Sequence, residues 1–572
     1  MSDKKVSEMT ANSTPQSTDL LMLIDDPSGS PQNQKITVGN LINNYNQTAA
    51  EISAGVTPTN YQYEPGNVLR YGTNTTPGTT DMTVALQAAC DSNTYVWHTE
   101  DILVGDVNVP AGVTIERFGG EISFVLGSTA SGLDLQSGAK LINCHFDISG
   151  ADSLGTSAAV DFEGDDCQVL NPYFDGKTAG AAANKMNYCI RFSATASNLR
   201  TRINGAEFVN TRFGIIRQTH TTGTMSWSRI TNTRGTGINE GDLIEINLGT
   251  DTDIQIDGVI GEDIEGDTAG DGIIVGVAGD EGLGGAETSE IRRIQITRVT
   301  GSNSDKGVHV EGCNKILIDD ITMSNISDAT TEAAIQLYGC DDFTIGLHEI
   351  NDCDAGIQVE AESTDQSSSG SIGVGHIKDC PIGIHIDCDT ANSVVNITGA
   401  NVKNSSSRGI SVQGGGDYNI TGCSTEDCVL GYRVDAESNS NSISFNGNTS
   451  TNDTTTHTLN NVASSSLYSS GNDFLGDFRP EIDFVADDVT PSVAAGNYFA
   501  TVANTGATAI TNFDGGRDGQ RISVRGGSST NASTIADSGN FRLTAAITLN
   551  QHTTIVLVQR AGVWIEDSRA VN

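Results

Sequence analysis

The sequence is poor in several features that define common classes of protein. Its 572 residues include only 11 prolines, 5% aromatics, and 31 Lys and Arg against 72 Asp and Glu, so the formal net charge is −41. Nucleic acids and anionic membrane surfaces are bound by clustered Lys and Arg, and the sequence contains no such cluster. We therefore expect neither nucleic acid nor membrane as a partner, and solubility is the simplest explanation of the acidity.

Sites built from cysteine are not indicated either. The 11 cysteines are an odd number and include no Cys-x-x-Cys pair. This usage favours buried thiols over a disulfide framework or a zinc site. We therefore expect no metal and no cofactor.

The first residues do not resemble a secretion signal. The start, MSDKKVSEMT, has no apolar core, and the longest early apolar run, Leu20–Ile24, is too short to span a bilayer. These features predict a protein that is made in the cytoplasm and not exported by the general route, such as one released by cell lysis.

The residues that are abundant point to β-structure. Gly occurs 64 times, and Ser, Thr, Asn and Asp are plentiful, which favours turns over helix interiors. Because aromatics are few, the core must be built mainly from Ile, Val, Leu and Ala. This composition predicts an all-β protein.

A repeat of about 27 residues runs through the middle of the chain. Its clearest copies are Asn351–Val359, Lys378–Ile386 and Glu426–Val434, each with Asp-Cys, then Gly, then an apolar–polar–apolar strand. One inward-facing residue, which we call the anchor, marks each copy. The anchors are Leu133, Val160, Ile190, Ile215, Ile244, Ile273, Val308, Ile335, Ile357, Ile384, Ile410 and Tyr432.

The repeat predicts a right-handed parallel β-helix of about twelve coils. Leucine-rich repeats need a Leu/Asn consensus and propeller blades a Trp-Asp signature, and the sequence shows neither. Short β-branched strands with polar turns fit a coil of this length, and the strands then stack about 4.8 Å apart. Stacking should put Cys353, Cys380 and Cys428 in one inward column and Cys313 and Cys340 in another.

Three other segments flank the β-helix, which we place at residues 126–478. Residues 1–60 are mostly polar, with two apolar runs separated by a turn at Asp25–Pro31. Residues 61–125 contain Thr80–Cys90, whose apolar spacing predicts one short helix, followed by a Val-Pro-Ala-Gly turn. Residues 479–572 lose the repeat but keep separated strands, which predicts a C-terminal β-sandwich.

Two columns of polar side chains are expected on the outside of the β-helix, because side chains alternate along a strand. The first outward column, one residue after each anchor, is Asp134, Asp161, Arg191, Ile216, Glu245, Ile274, His309, Gln336, Gln358, His385, Ser411 and Arg433. The second outward column, two residues further along, is Gln136, Glu163, Ser193, Gln218, Asn247, Gly276, Glu311, Tyr338, Glu360, Asp387, Gln413 and Asp435. Such an acid-rich face suits an extended glycan, and it equally suits an ordinary solvated sheet.

Candidate acid and base residues lie in the middle of this face. Glycoside hydrolysis usually needs two carboxyl groups, about 5 Å apart for retention and about 6.5–9.5 Å for inversion. Asp242 and Asp271 each lie two residues before an anchor, so neighbouring coils should bring them about 5 Å apart. Glu245 lies on the coil of Asp242. Glu311 and His309 are expected two coils further on, about 10 Å away.

Four segments of this region resemble colanic-acid-degrading phage tailspikes, which have a pectate-lyase-like β-helix. In the family's order they are Gly241–Asn247, Gly272–Gly279, His309–Glu311 and Tyr338–Ile345. The chain departs from the family pattern at Ile246, where the family has Trp, and at Asp271. Because an aromatic side chain often stacks on a sugar ring, these departures leave the exact sugar open.

The resemblance implies which residues act on the glycan. Carried over position by position, it selects Asp242, Glu245, His309 and Glu311 as catalytic candidates. Of Glu245 and Glu311, one would be the general acid and the other the base, with Asp242 tuning a pKa or orienting water. His309 would bind substrate or stabilise the departing charge. We add as substrate-binding candidates Asp271, Asn247, Gln336, Tyr338 and Gln358.

These features predict a phage tailspike that binds and hydrolyses a bacterial surface polysaccharide: a capsule, an O-antigen or an exopolysaccharide. By the same resemblance, residues 1–60 attach it to phage tail or baseplate proteins, residues 61–125 cap the first coil, and three chains associate as a homotrimer in the virion. Two alternatives stay open. One is a non-catalytic glycan-binding spike, and the other is a polysaccharide lyase, which the scarcity of Lys and Arg on the outward columns disfavours.

Overall fold

The computed structural model describes residues 20–25, 32–37, 47–125, 132–149, 158–177, 187–193, 196–217, 225–247, 252–266, 272–279, 291–327, 333–361, 367–388, 393–436, 442–460, 467–470, 472, 482–494 and 497–570. These residues are mainly β-strands, and the chain divides into two compact units, residues 1–272 and 273–572.

The first unit begins with a hairpin and three short helices. Strands Leu20–Asp25 and Gln32–Thr37 pair antiparallel. Most of the turn predicted between them, residues 26–31, lies outside the described residues. The helices are Ala49–Ala54, the 3-10 helix Val68–Arg70 and Thr83–Ser92. The last of these confirms the helix predicted over Thr80–Cys90. It begins at Thr83, whose backbone N–H donates to the Asp81 carboxylate over 2.9 Å.

Six strands of the first unit stack in parallel as its anchor sheet. They are Val107–Val109, Leu133–Leu135, Ala158–Phe162, Tyr188–Phe192, Phe213–Arg217 and Ile244–Asn247. The other strands of these coils are Tyr95–His98, Ile102–Val104, Thr114–Arg117, Ile122–Phe124, Lys140–Ile142, His145–Asp147, Gln168–Leu170, Tyr173–Asp175, Asn198–Leu199, Arg202–Asn204, Glu207–Val209, Met225–Ser226, Arg229–Glu240 and Thr252–Gly266. The register confirms the first five anchors, which lie opposite one another on successive strands.

Eight strands form the anchor sheet of the second unit. They are Ile273–Ala278, Lys306–Glu311, Ala333–Tyr338, Ala355–Ala361, Ile382–Cys388, Arg408–Gly414, Leu430–Ala436 and Thr455–Asn460. The other strands of these coils are Ile291–Ser304, Cys313–Ile326, Asp341–Ile345, His348–Asn351, Ser369–Ile372, Gly375–Lys378, Val394–Thr398, Ala400–Lys403, Asp417–Thr421, Ser424–Glu426, Ser442–Asn446, Thr449–Thr451 and Leu467–Ser470. The register confirms the last six predicted anchors.

One predicted anchor is wrong. Val275, not Ile273, lies opposite Val308 on the next strand. Every second residue from Ile273 to Val277 is apolar, so alternation alone could not distinguish Ile273 from Val275. The first and second outward columns therefore contain Gly276 and Ala278 at this coil, in place of Ile274 and Gly276.

The anchor strands number fourteen among the described residues, against about twelve coils predicted. The additional strands are Val107–Val109 before the first anchor and Thr455–Asn460 after the last, and their sequences lack the glycine of the repeat. Parallel strands connected in this way form a right-handed parallel β-helix, as the repeat predicted.

The helix Thr83–Ser92 covers the edge of the first anchor sheet. Gln87 Nε2 donates to the Asn108 carbonyl, and the Asn108 N–H donates to Gln87 Oε1, each over 2.9 Å. Val107–Val109 is the edge strand, so this side-chain amide occupies backbone groups on which another strand would otherwise pair.

The Asp-Cys part of the repeat forms a turn followed by a buried position. The three aspartates have φ angles between 53° and 56°, a left-handed conformation that Asp and Asn adopt more readily than most residues. The turn residues are Asp352, Asp379 and Asp427, and the cysteines after them are Cys353, Cys380 and Cys428. Register places these cysteines in one column, and likewise Cys313 with Cys340, as predicted. All eleven cysteines are buried thiols.

The glycine of the repeat lies where neighbouring coils approach closely. A Cβ added at Gly356 would lie 2.4 Å from the carbonyl oxygen of Gly383, and one added at Gly383 would lie 2.3 Å from that of Gly409. Both distances are far below van der Waals contact, so a side chain there forces the backbone to move.

Residues 482–570 form two sheets around one core. The larger contains Ile482–Asp483, Tyr498–Thr501, Arg521–Gly526, Thr554–Arg560, Val563–Ala570 and Phe541–Arg542, and the smaller Ala509–Ile510, Thr534–Ile535 and Ile547–Thr548. Residues of both sheets, among them Ile535 and Trp564, belong to one hydrophobic cluster. This agrees in part with the predicted β-sandwich. Several pairs, such as Tyr498–Thr501 with Arg521–Gly526, are parallel and so are not hairpins.

We predict that Gly383→Ala lowers the free energy of unfolding by about 1–3 kcal/mol, because the next coil must shift to accommodate the methyl group. Urea denaturation measures the change. Gly506→Ala is the control, since no atom lies within 4 Å of its added Cβ, and it should change stability by less than about 0.5 kcal/mol. Equal effects of the two substitutions would contradict the close packing of coils at Gly383.

Candidate functional site

The first unit places three predicted site residues on or beside its last anchor strand. Asp242 and Glu245 are almost fully buried, with 5% and 8% of their surfaces exposed. The Asn247 side-chain amide donates a hydrogen bond to the Glu245 carboxylate. Glu245 lies opposite Ile216 on the neighbouring strand. Glu245 is therefore a buried carboxyl group whose orientation is fixed by an amide.

The second unit joins four residues of the outward columns in one hydrogen-bonded group, which we call the His309 row: His309, Glu311, Gln336 and Tyr338. His309 Nδ1 lies 2.9 Å from Gln336 Oε1 on the next strand, and its Nε2 contacts the Glu311 carboxylate on its own strand. Gln336 Nε2 contacts the Tyr338 hydroxyl. With His309 6% and Gln336 3% exposed, the row is held firmly in the sheet.

His309 also controls the charge of its neighbour. The hydrogen bond from the imidazole to Glu311 outweighs burial and holds the pKa of Glu311 below its usual range. Glu311 is therefore a carboxylate at neutral pH, the state that a general base needs.

The next strand continues this polar surface. Gln358 lies opposite Gln336, and Glu360 lies opposite Tyr338. The Gln358 amide donates to the Glu360 carboxylate. Gln336, Tyr338 and Gln358, all predicted to bind substrate, thus lie on one face of the second unit.

The remaining predicted residue, Asp271, lies outside the described residues. The reason for expecting it beside Asp242 also fails, because with Val275 as the anchor Asp271 lies four residues before an anchor and not two. Glu245 belongs to the first unit and Glu311 to the second. Their joint action stays a prediction.

One further carboxyl group, that of Asp134, was not among the site residues predicted from the sequence. Asp134 and Asp161 are neighbours in the first outward column, and Arg191 Nε donates to Asp161 over 3.1 Å. Burial, followed by the charges of Asp106 and Asp161, raises the pKa of Asp134 to about 7. A carboxyl group that keeps its proton near neutral pH can act as a general acid. The signal in the sequence was the presence of two aspartates on successive coils of one column.

No metal or membrane feature accompanies these groups in the described ranges. There, no three or more His, Cys, Asp and Glu side chains are grouped as ligands for a metal. None of the helices found there has the length and apolar character that a membrane crossing requires.

These stacked sheets with polar outward columns define a parallel β-helix protein. The chain belongs to the family described as colanic acid biosynthesis WcaM, which matches residues 107–407. One relative, the colanic acid biosynthesis protein WcaM of Salmonella typhimurium, is 27% identical over 281 residues, which are 45% of this chain and 55% of the relative. The chain thus spans about half the length of the curated relative that it matches.

Solved structures similar to this chain include phage tailspikes, as the segments in residues 241–345 led us to expect. Tailspike protein 3 of bacteriophage CBA120 has a TM-score of 0.46 and 12% identity, over 81% of this chain and 67% of that one. The mannuronan C-5 epimerase A-module of Azotobacter vinelandii has a TM-score of 0.40 and 13% identity, over 71% and 98%. The polygalacturonase of Erwinia carotovora has a TM-score of 0.30 and 13% identity, over 67% and 94%.

We predict that Asp134→Asn stabilises the protein at pH 8 and has little effect at pH 4. The folded state keeps the Asp134 proton up to about pH 7, whereas the unfolded state releases it near a pKa of about 3.9. Between these values the unfolded state binds fewer protons, so this group makes stability fall as pH rises. Thermal unfolding at both pH values measures the effect. A variant less stable than wild type at pH 8 would contradict the raised pKa.

Proposed function

We propose that the protein is a phage tailspike that binds a bacterial surface polysaccharide and hydrolyses it within the chain. The His309 row carries the proposal. It presents fixed donors and acceptors and an ionised carboxylate on strands that repeat every 4.8 Å or so. That repeat is close to the length of one pyranose ring with its glycosidic oxygen, so a glycan lying across the strands meets one coil per sugar.

The proposed chemistry adds water across a glycosidic bond. One carboxylate removes a proton from water as its oxygen attacks the anomeric carbon, and a second carboxyl group protonates the departing sugar oxygen. Glu311 suits the first role because His309 keeps it ionised. We assign Glu245 to the second role and Asp242 to tuning it, on the basis of their burial and the tailspike resemblance. His309 then stabilises the charge that develops.

The family supports an exopolysaccharide as the ligand. Both the family and its Salmonella typhimurium relative are named for colanic acid. We propose colanic acid or a related polymer as the substrate, attachment to phage tail or baseplate proteins through residues 1–60, a homotrimeric assembly and a place in the virion.

A second candidate is glycan binding without cleavage. The relative is named for biosynthesis, not for degradation, and the polar groups of the His309 row already bind one another. Incubation with purified colanic acid separates the possibilities. New reducing ends without ultraviolet absorbance of an unsaturated uronate support hydrolysis, such absorbance supports a lyase, and an intact but bound polymer supports the binding protein.

We predict that Glu311→Gln and Glu245→Gln each reduce the rate of depolymerisation by about 100-fold or more, because each removes an acid–base group. Release of reducing ends under initial-rate conditions is the measurement. Glu426→Gln is the matched control, since Glu426 lies on a different sheet and binds Lys403. Full activity in both site variants would exclude these residues as the catalytic pair.

We also predict a shift in the pH profile of His309→Gln. Loss of the imidazole hydrogen bond should raise the pKa of Glu311, so the acid limb of kcat/KM moves to higher pH. His376→Gln, at an exposed histidine of another sheet, should leave the limb in place. An unmoved acid limb in His309→Gln would show that Glu311 is not the titrating base.

A further inference from the structure

Two arginines lie together on the anchor sheet of the second unit, in a protein with a formal charge of −41. Arg408 begins strand Arg408–Gly414, and Arg433 occupies the first outward column on the next strand, opposite Ser411. Burial and the positive charge of Arg433 both lower the pKa of Arg408. The like charges of Arg408 and Arg433 repel each other, and the carboxylates of Asp387 and Asp435 offset part of this repulsion.

The hydrogen bonding of Arg408 is incomplete. Its Nε is buried and has no hydrogen-bond partner among the described residues. An unsatisfied buried donor, above all one on a charged group, destabilises a folded protein unless a ligand or solvent satisfies it. Arg433 already binds the Asp435 carboxylate on its own strand. The pair therefore consists of one guanidinium whose Nε has no hydrogen-bond partner among the described residues and one guanidinium that holds a carboxylate.

The neighbouring histidine adds no further positive charge. His385 is 7% exposed, and its Nδ1 lies 2.9 Å from the Ser411 hydroxyl. Burial, then Arg408 and Arg433, lower the pKa of His385 to about 4, so the ring is neutral at physiological pH. The positive charge at this end of the sheet therefore resides on the two guanidinium groups, beside the acidic residues Asp387 and Asp435.

We propose that Arg408 and Arg433 form a subsite for a carboxylate-bearing sugar residue of the polysaccharide. A planar guanidinium matches a carboxylate through two parallel hydrogen bonds, so the ligand carboxylate would pair with the guanidinium groups of Arg408 and Arg433 and compete with Asp435 for Arg433. This inference rests on the proposed function for the presence of a glycan on this face, and it defines that glycan as an acidic one.

The strand register defines how far the proposed subsite lies from the His309 row. Register runs from His309 through Gln336, Gln358, His385 and Ser411 to Arg433, five steps of about 4.8 Å each. At one sugar per coil, a ligand must extend about five residues from Glu311 to reach Arg433. Shorter oligosaccharides that contact the His309 row should therefore not respond to substitution of the arginines.

Titration calorimetry compares two ligands: native colanic acid, and the same polymer after its carboxyl groups have been reduced to alcohols. Arg433→Gln and Arg408→Gln should each weaken binding of the native polymer about tenfold and leave the reduced polymer unaffected, because a charge-assisted hydrogen bond is lost. Asp435→Asn should strengthen native-polymer binding, since it frees Arg433. A residue with a merely structural role would not give this opposite change.

Three controls make the outcome decisive. Lys403→Gln removes a positive charge on another sheet and should change nothing. Arg408→Lys retains the charge and should keep part of the affinity if Arg408→Gln fails to fold. Dextran sulfate tests whether the arginines bind any anionic polymer. If the arginine variants lose as much affinity for dextran sulfate as for native colanic acid, the proposal is overturned.

The remaining results separate this inference from the function on which it rests. Equal loss for native and reduced polymers, or no loss, overturns the subsite. If wild-type protein binds neither polymer, the proposed function fails and the subsite with it. If it binds native polymer in an arginine-dependent way but releases no reducing ends, hydrolysis fails and the subsite stands.

Discussion

Backbone hydrogen bonds between parallel strands set the distance from one coil to the next at about 4.8 Å, and the rest of each unit depends on that spacing. Residues about 27 positions apart become neighbours in a column, inward or outward. Inward columns then require side chains that stack, such as the cysteines after the Asp turns. Where the coils come closest, even a methyl group is too large, so Gly356 and Gly383 have no side chain.

The same spacing creates the polar face. Each outward side chain meets one above and one below, so polar groups must satisfy one another across strands as well as along them. His309 binds Gln336 on the next strand and Glu311 on its own, and this arrangement keeps Glu311 ionised. At Asp134 the opposite happens: burial, followed by the charges of Asp106 and Asp161, raises the pKa. One geometry thus produces an ionised carboxylate and a protonated carboxyl at different coils.

The repeat made the coil and most of the register predictable, because a Gly-apolar-polar-apolar pattern has one alignment that buries its apolar residues. It failed at Ile273, because Ile273, Val275 and Val277 are all apolar and alternate positions of this kind allow a two-residue shift. Alternation along the strands could place His309 and Glu311 on one face, but it could not place the imidazole between Glu311 and Gln336. Nor could it show the raised pKa of Asp134, which depends on burial by the surrounding fold.

The stacking itself can be measured as a distance. Thr322 and Thr449 are exposed, and register connects them through Glu349, His376, Asn401 and Ser424, five steps in all. Spin labels introduced at the two threonines as unnatural amino acids should give a narrow distance distribution by pulsed electron paramagnetic resonance. The account predicts a backbone separation of about 24 Å despite the long stretch of chain between them. A broad distribution would contradict the stacked coils, and so would a distance that differs from this value by more than the length of the two label side chains. Either result would also contradict the proposed glycan-binding face.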